Sequence, residues 1–144
     1  YVASILSLGA VLVETGAGDF LGGWMLHHLP LDPDAPFTSF YAVVGLGALV
    51  NMASTAPSVP AILGPLADEL ATGSGIPLRT IMMTQVISYS TVVLPYQVPP
   101  VIVAMQLGGV SMRDGAKMTL ALAVVSLVVL VPLNYLWWSW LGIM

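Results

Sequence analysis

The sequence predicts an all-α membrane protein whose helices are interrupted inside the bilayer, and three observations carry that prediction. Of its residues 58% are hydrophobic and 7% charged, whereas a soluble domain carries roughly a quarter charged residues to face water. Two apolar arms, Thr38–Val50 and Val59–Ala71, flank a polar, proline-containing joint. A third apolar stretch, running from Thr84 through LPYQVPP to Val110, holds Pro95, Pro99 and Pro100. Proline has no N–H and clashes with the preceding turn, so it cannot sit inside a regular helix. It also pushes the residue before it out of the α region. In hydrocarbon each freed peptide group needs a partner, so non-helical backbone at that depth persists only where it lines a cavity in the protein.

The first residues, Val2–Val13, are apolar until Glu14, Gly16, Gly18 and Asp19 intervene. Phe20–Leu26 reads as a short amphipathic piece riding near an interface, so that 1–28 forms a membrane or interfacial segment. His27 and His28 end it; adjacent residues point apart on a helix and cannot share a metal as i, i+4 histidines do. With three prolines and two aspartates, Leu29–Phe37 is a solvent loop. The chain opens on Tyr1 inside an apolar run, without the charged region and cleavage site of a signal peptide. We therefore expect it to be cut from something longer, whereas the closing WWSWLGIM reads as a natural terminus.

Each apolar arm has about thirteen residues, or ~20 Å of helix at 1.5 Å per residue, short of the ~30 Å of a crossing. The joint, Asn51–Ser58, would expose amides and hydroxyls to lipid if the helix ran straight through. A re-entrant hairpin over 38–72, its tip within the membrane, removes that cost. Ser54, Thr55 and Ser58 are suitable N-caps for the returning arm, and Pro57 or Pro60 suits its first turn. Asp68 and Glu69 followed by Ala71–Pro77 then bring the chain back to water.

Arg79 opens the broken helix, 79–110. Thr84, Ser88 and Thr91 recur at i, i+4, i+7 and so share one face, with Gln85 beside them. That stripe suits interhelical hydrogen bonding and equally suits the border of a site. Gly108–Lys117 is a polar turn holding Arg113 and Lys117, which the positive-inside rule places in the cytoplasm. The last span, 118–141, contains an apolar run of about 23 residues, enough to cross. Tyr135, Trp137, Trp138 and Trp140 form an aromatic belt at its far end.

The order of these elements resembles the C-terminal half of the divalent-anion/sodium symporter family, whose carriers move dicarboxylates, citrate or sulfate. The resemblance runs from about Ser4 to the end. It rests on the hairpin tip with Asn51, the apolar-Pro pair Val59-Pro60, the LP-x-x-x-PP run at Leu94–Pro100, the Arg113-Asp114-Gly115 loop and a last span ending in Tyr-Leu-Trp. It implies one inverted repeat of a secondary transporter, in which the tip and the broken helix bind a carboxylate substrate and a sodium ion. Asn51, Pro99 and Pro100 match the family's positions. Val50 and Met52 stand where the family's tip has hydroxyl residues, and Val98 and Val101 flank the prolines where it has Thr and Asn. The residues themselves offer Ser54, Thr55 and Gln97 as nearby polar groups. The candidate substrate and ion site is therefore Asn51, Ser54, Thr55, Gln97, Val98, Pro99 and Pro100, with Na⁺ near Asn51 and Pro99. No cofactor is expected beyond Na⁺ as coupling ion.

These readings lead to a carrier for a small anionic solute, coupled to Na⁺, embedded in membrane lipid and paired with an N-terminal half of the same transporter. The resemblance adds a homodimer and a bacterial inner (plasma) membrane. The strong bases, Arg79, Arg113 and Lys117, all fall at predicted ends, so neutral donors and helix dipoles must bind the anion, with charge supplied by co-transported cations or by the N-terminal half. These bases are also too few and scattered for a nucleic-acid footprint. A cation/proton antiporter or metalloid efflux carrier of the same superfamily is the alternative. It needs a titratable group near the midplane, and Asp68 and Glu69, near the site elements, are placed close to the outer surface. A scaffold of simple helices leaves the prolines and short arms unexplained. An enzyme is not expected: His-Glu-x-x-His and paired intramembrane aspartates are absent, and a Ser/His dyad would need His27 or His28, which sit by the first loop.

Overall fold

The computed structural model describes Thr15 and residues 27–144. The apolar start and the amphipathic piece Phe20–Leu26 lie outside the described residues. Those described are helical, without a strand: α1 Pro36–Ala53, α2 Ser58–Leu63, α3 Ala67–Ser74, α4 Leu78–Ser90, a 3₁₀ turn Pro95–Gln97, α5 Pro99–Leu107 and α6 Met112–Trp140. Within α6, Ser126–Leu130 is wound as π-helix. The chain is an all-α membrane protein.

At 18 residues, α1 is longer than the expected arm: ~27 Å of helix at 1.5 Å per residue, close to a full crossing. Pro36 takes its first turn, where a missing N–H costs nothing. The Ser39 hydroxyl ties that turn to Asp32, donating to its carbonyl and accepting its N–H, both at 2.8 Å. At the other end the helix continues through Asn51–Ala53, because the Asn51 amide is buried against α4 instead of facing lipid. The returning arm differs too. It is split at Gly64–Leu66, where Pro65 cannot continue a helix, into α2 and α3. No hydroxyl caps α2; Pro57 stands at its N-cap, while Ser54 Oγ turns back to donate to Val50 O (2.7 Å). Residues 71–74, expected as loop, extend α3 to the left-handed Gly75. A side chain there would press on Pro33.

The core forms where α1 meets α2, α3 and α4: Phe40, Val43 and Val44 pack with Leu63, Leu66, Leu70 and Ile81. Gly47 permits the close α1–α4 approach, since a Cβ there would overlap the Ser88 side chain. The last helix begins at Met112, not at residue 118, so Arg113 and Lys117 lie on its first turns. Ser111 caps it by accepting the Asp114 N–H at 3.2 Å. Pro132 disrupts the regular ladder one turn ahead of it, and the π-wound segment lies there. Of the expected belt, Tyr135 and Trp138 turn inward onto Phe40, with ring centroids 5.4 and 5.7 Å away. Trp137 and Trp140 pair outward. Leu107, Leu122, Val128 and Leu136 are also exposed, the apolar surface a helix presents to lipid.

Candidate functional site

The prolines do not interrupt a helix; they start one. The break begins at Thr91, the C-cap of α4, and ends at Val98, the N-cap of α5, which puts Pro99 and Pro100 at the first two helical positions. Leu94 and Val98, each preceding a proline, are extended (φ −128°, ψ 141° and φ −125°, ψ 96°), as proline demands of its predecessor. The polar joint after α1 meets this break directly. The Ala56 N–H donates to Gln97 O at 2.9 Å, and the Tyr96 hydroxyl donates to Met52 O. Asn51 Nδ2 donates to Ser88 O (3.1 Å) and Thr91 O (3.2 Å), the carbonyls that end α4.

Those bonds fix the orientation of the Asn51 amide. Its Nδ2 is spent on two carbonyls, so Oδ1 must be the other atom, and it is buried without a hydrogen-bond partner. Gln97 presents the complement. Its Oε1 accepts the N–H groups of Val93 (2.7 Å) and Leu94 (2.6 Å), while Nε2 is buried and unpartnered. Both residues are 0% exposed. A lone acceptor and a lone donor thus lie buried on the two segments that meet. An unsatisfied buried polar group costs about 1–3 kcal/mol and calls for an explanation.

Backbone amides contribute less than the sequence suggested. At the start of α5, Pro99 and Pro100 carry no N–H, and the Val101 N–H is taken by Val98 O (2.9 Å). At α2, Ser58 and Val59 donate to Thr55 O and Ala56 O, and Pro60 has nothing to donate. The Gln97 amide is therefore the buried donor at this junction. Among the sequence-proposed residues, Ser54 bonds Val50 O and Thr55 Oγ1 meets Ser58 Oγ at 3.1 Å. Both are half-buried, while Pro99 and Pro100 are exposed.

The hydroxyl stripe on α4 divides its work. Ser88 Oγ reaches Val44 O across to α1 (3.2 Å), Thr84 turns back on Ile81 O (2.6 Å), and Thr91 meets Ser126 Oγ (3.2 Å) on α6. Thr119 Oγ1, also on α6, donates to Val93 O within the break (2.9 Å). Sequence reasoning missed Thr119, Ser126 and Tyr96. A hydroxyl in a long apolar helix was the only signal for the first two.

No cluster of three His, Asp or Glu side chains that could hold a metal occurs among the described residues; the oxygens around the Asn51 amide are neutral carbonyls. Arg79, Arg113 and Lys117 are exposed at helix starts. A cleft of about 620 Å³ between α5 and α6 is lined mainly by apolar side chains such as Val101, Met105, Met118 and Leu122. None of the proposed site residues lines it. The sequence profile of the sodium:sulfate symporter transmembrane region matches residues 1–144. No curated protein matches the chain, and no solved structure does.

Proposed function

Since the chain belongs to the family of the sodium:sulfate symporter transmembrane region, a family of secondary transporters of anions, we propose that Asn51 and Gln97 bind the coupling ion and the anion of a Na⁺-driven carrier. The observation that carries this is the pair of buried, unpartnered amide atoms. Asn51 Oδ1 is a neutral oxygen among the carbonyls that close α1 and α4, where the helix dipoles are negative. That is a setting for Na⁺. Gln97 Nε2 is a donor with no proton to accept, placed just before the N-terminus of α5, where the dipole is positive. That is a setting for an oxyanion such as sulfate or a dicarboxylate. Ser54, Thr55, Val98, Pro99 and Pro100 shape the mouth of the site.

No basic side chain of the described residues lies at the junction, so in this proposal the anion's countercharge comes from the co-transported cation or from the N-terminal half. Unit charges ~4 Å apart attract by about 4 kcal/mol at an effective dielectric of 20, roughly a thousandfold in affinity. Coupling follows from this: without Na⁺ the neutral donor alone holds the anion weakly. In the same proposal the chain acts with an N-terminal half and as a homodimer in a bacterial inner membrane.

The test is uptake of labelled sulfate and succinate by proteoliposomes holding the intact carrier, with and without a Na⁺ gradient. Na⁺-dependent uptake of at least one is expected. Asn51→Ala, and separately Pro99→Ala with Pro100→Ala, are expected to abolish it with expression retained. Undiminished uptake in both variants would remove the site assignment. A second reading, proton-coupled exchange, draws on Glu69, whose Oε2 is buried without a partner. It predicts transport driven by a pH gradient in Na⁺-free buffer and lost in Glu69→Gln.

A further inference from the structure

The last helix touches both halves of the proposed site through two hydroxyls. Thr119 and Ser126 stand seven residues apart, two turns along one face of α6. Thr119 Oγ1 donates to Val93 O at 2.9 Å. That carbonyl belongs to the same planar peptide unit as the Leu94 N–H, which donates to Gln97 Oε1 at 2.6 Å. A peptide unit is rigid, so holding its oxygen aims its N–H, and polarising one end strengthens the bond at the other. Thr119 therefore fixes the Gln97 carboxamide from behind and sets the direction of its free Nε2.

Ser126 does the corresponding work for Asn51. The Thr91 hydroxyl spends its proton on Ile87 O (2.8 Å), so in the 3.2 Å contact between Thr91 and Ser126 the serine is the donor. Thr91 lies outside the helix (φ −85°, ψ 84°), and its carbonyl accepts Asn51 Nδ2. Ser126 opens the π-wound segment of α6, whose Leu127 carbonyl accepts the Tyr41 hydroxyl of α1 (3.2 Å). The irregular turn of α6 thus grips the break and the helix bearing Asn51 together.

Resting on the site reading above, we infer that Thr119 and Ser126 are positioning residues: Thr119 sets the anion donor and Ser126 sets the cation acceptor. The experiment measures transport kinetics of the intact carrier in proteoliposomes, varying anion at saturating Na⁺ and Na⁺ at saturating anion, with sulfate or succinate as the transported probe. A neutral hydrogen bond contributes about 0.5–1.5 kcal/mol, so each loss should read as roughly a two- to tenfold change. Thr119→Val raises the anion KM by that factor and leaves the Na⁺ half-saturation constant alone. Ser126→Ala raises the Na⁺ constant and leaves the anion KM alone. Thr119→Ser and Ser126→Thr restore the ordinary values.

The inference fails if both constants stay ordinary in Thr119→Val and Ser126→Ala, or if both move together with a fall in melting temperature. Loss of folded protein in Thr119→Val and Thr119→Ala alike would mark a purely structural hydroxyl and would also overturn it. Asn51→Ala and Gln97→Glu are measured alongside. Normal transport in those two would sink the site itself. Loss in those two, with silent Thr119 and Ser126 variants, would sink only the positioning roles.

Discussion

Gln97 does two jobs with one amide, and chemistry can separate them. Its Oε1 holds the Val93 and Leu94 N–H groups, and its main-chain carbonyl receives the Ala56 N–H of the joint after α1. Only Nε2 is left without a partner. Gln97→Glu keeps an acceptor for the two amides and replaces the donor with an oxygen that repels an anion. We expect anion binding to fall at least tenfold while purified protein retains its helix content by circular dichroism. Retained binding would show that Nε2 does not face the anion. In the same way the sequence singles out Asn51 as an amide of the polar joint, and it is buried. Which of its two atoms is free is not legible there, because that depends on Ser88 O and Thr91 O, carbonyls about forty residues away in sequence.

Among the elements, the α1–α4 contact decides where the site can form. Gly47 lets Ser88 Oγ approach Val44 O, and the same closeness brings Asn51 to the end of α4. Gly47→Ala is expected to push the helices apart and to destabilise by about 1–3 kcal/mol, as overpacking does. A thermal melt in detergent measures this, and an unchanged melting temperature would show that the contact yields freely. The elements also show what proline spacing says and what it leaves open. That the helix breaks near Pro95, Pro99 and Pro100 was legible from their lack of an N–H. That Pro99 and Pro100 begin α5, and strip its N-terminus of donors, depends on where α4 stops. Pro65 likewise divided the returning arm, and Ser111 drew α6 several residues earlier than hydropathy suggested.

On the scale of the whole molecule, the described chain is one packed group, α1–α4, with α5 and α6 leaving most of their apolar surface uncovered. The buried Asn51 Oδ1 and Gln97 Nε2 lack hydrogen-bond partners, a cost that a ligand at the proposed site would relieve. A ligand that binds only the folded form at a hundred times its Kd stabilises it by about 2.7 kcal/mol. Saturating Na⁺ should therefore raise the melting temperature of the intact carrier in detergent by several degrees relative to an equal concentration of choline. Asn51→Ala should lose that increment. An equal response to both cations would show that Na⁺ has no specific place in the fold.

From the residues alone came the membrane setting, the all-α class and the two interruptions, because hydropathy and proline chemistry are local properties that neighbouring sequence suffices to express; the family came from a resemblance in the order and spacing of motifs. Tertiary structure alone decided that the interruptions join through Ala56, Met52 and Asn51, which amide atoms remain unpaired, and that Thr119 and Ser126 of the last helix bond to Val93 and Thr91 of the break. Hydrogen bonds between segments dozens of residues apart are settled by how helices pack, and no local pattern records which lone pair or proton they leave over.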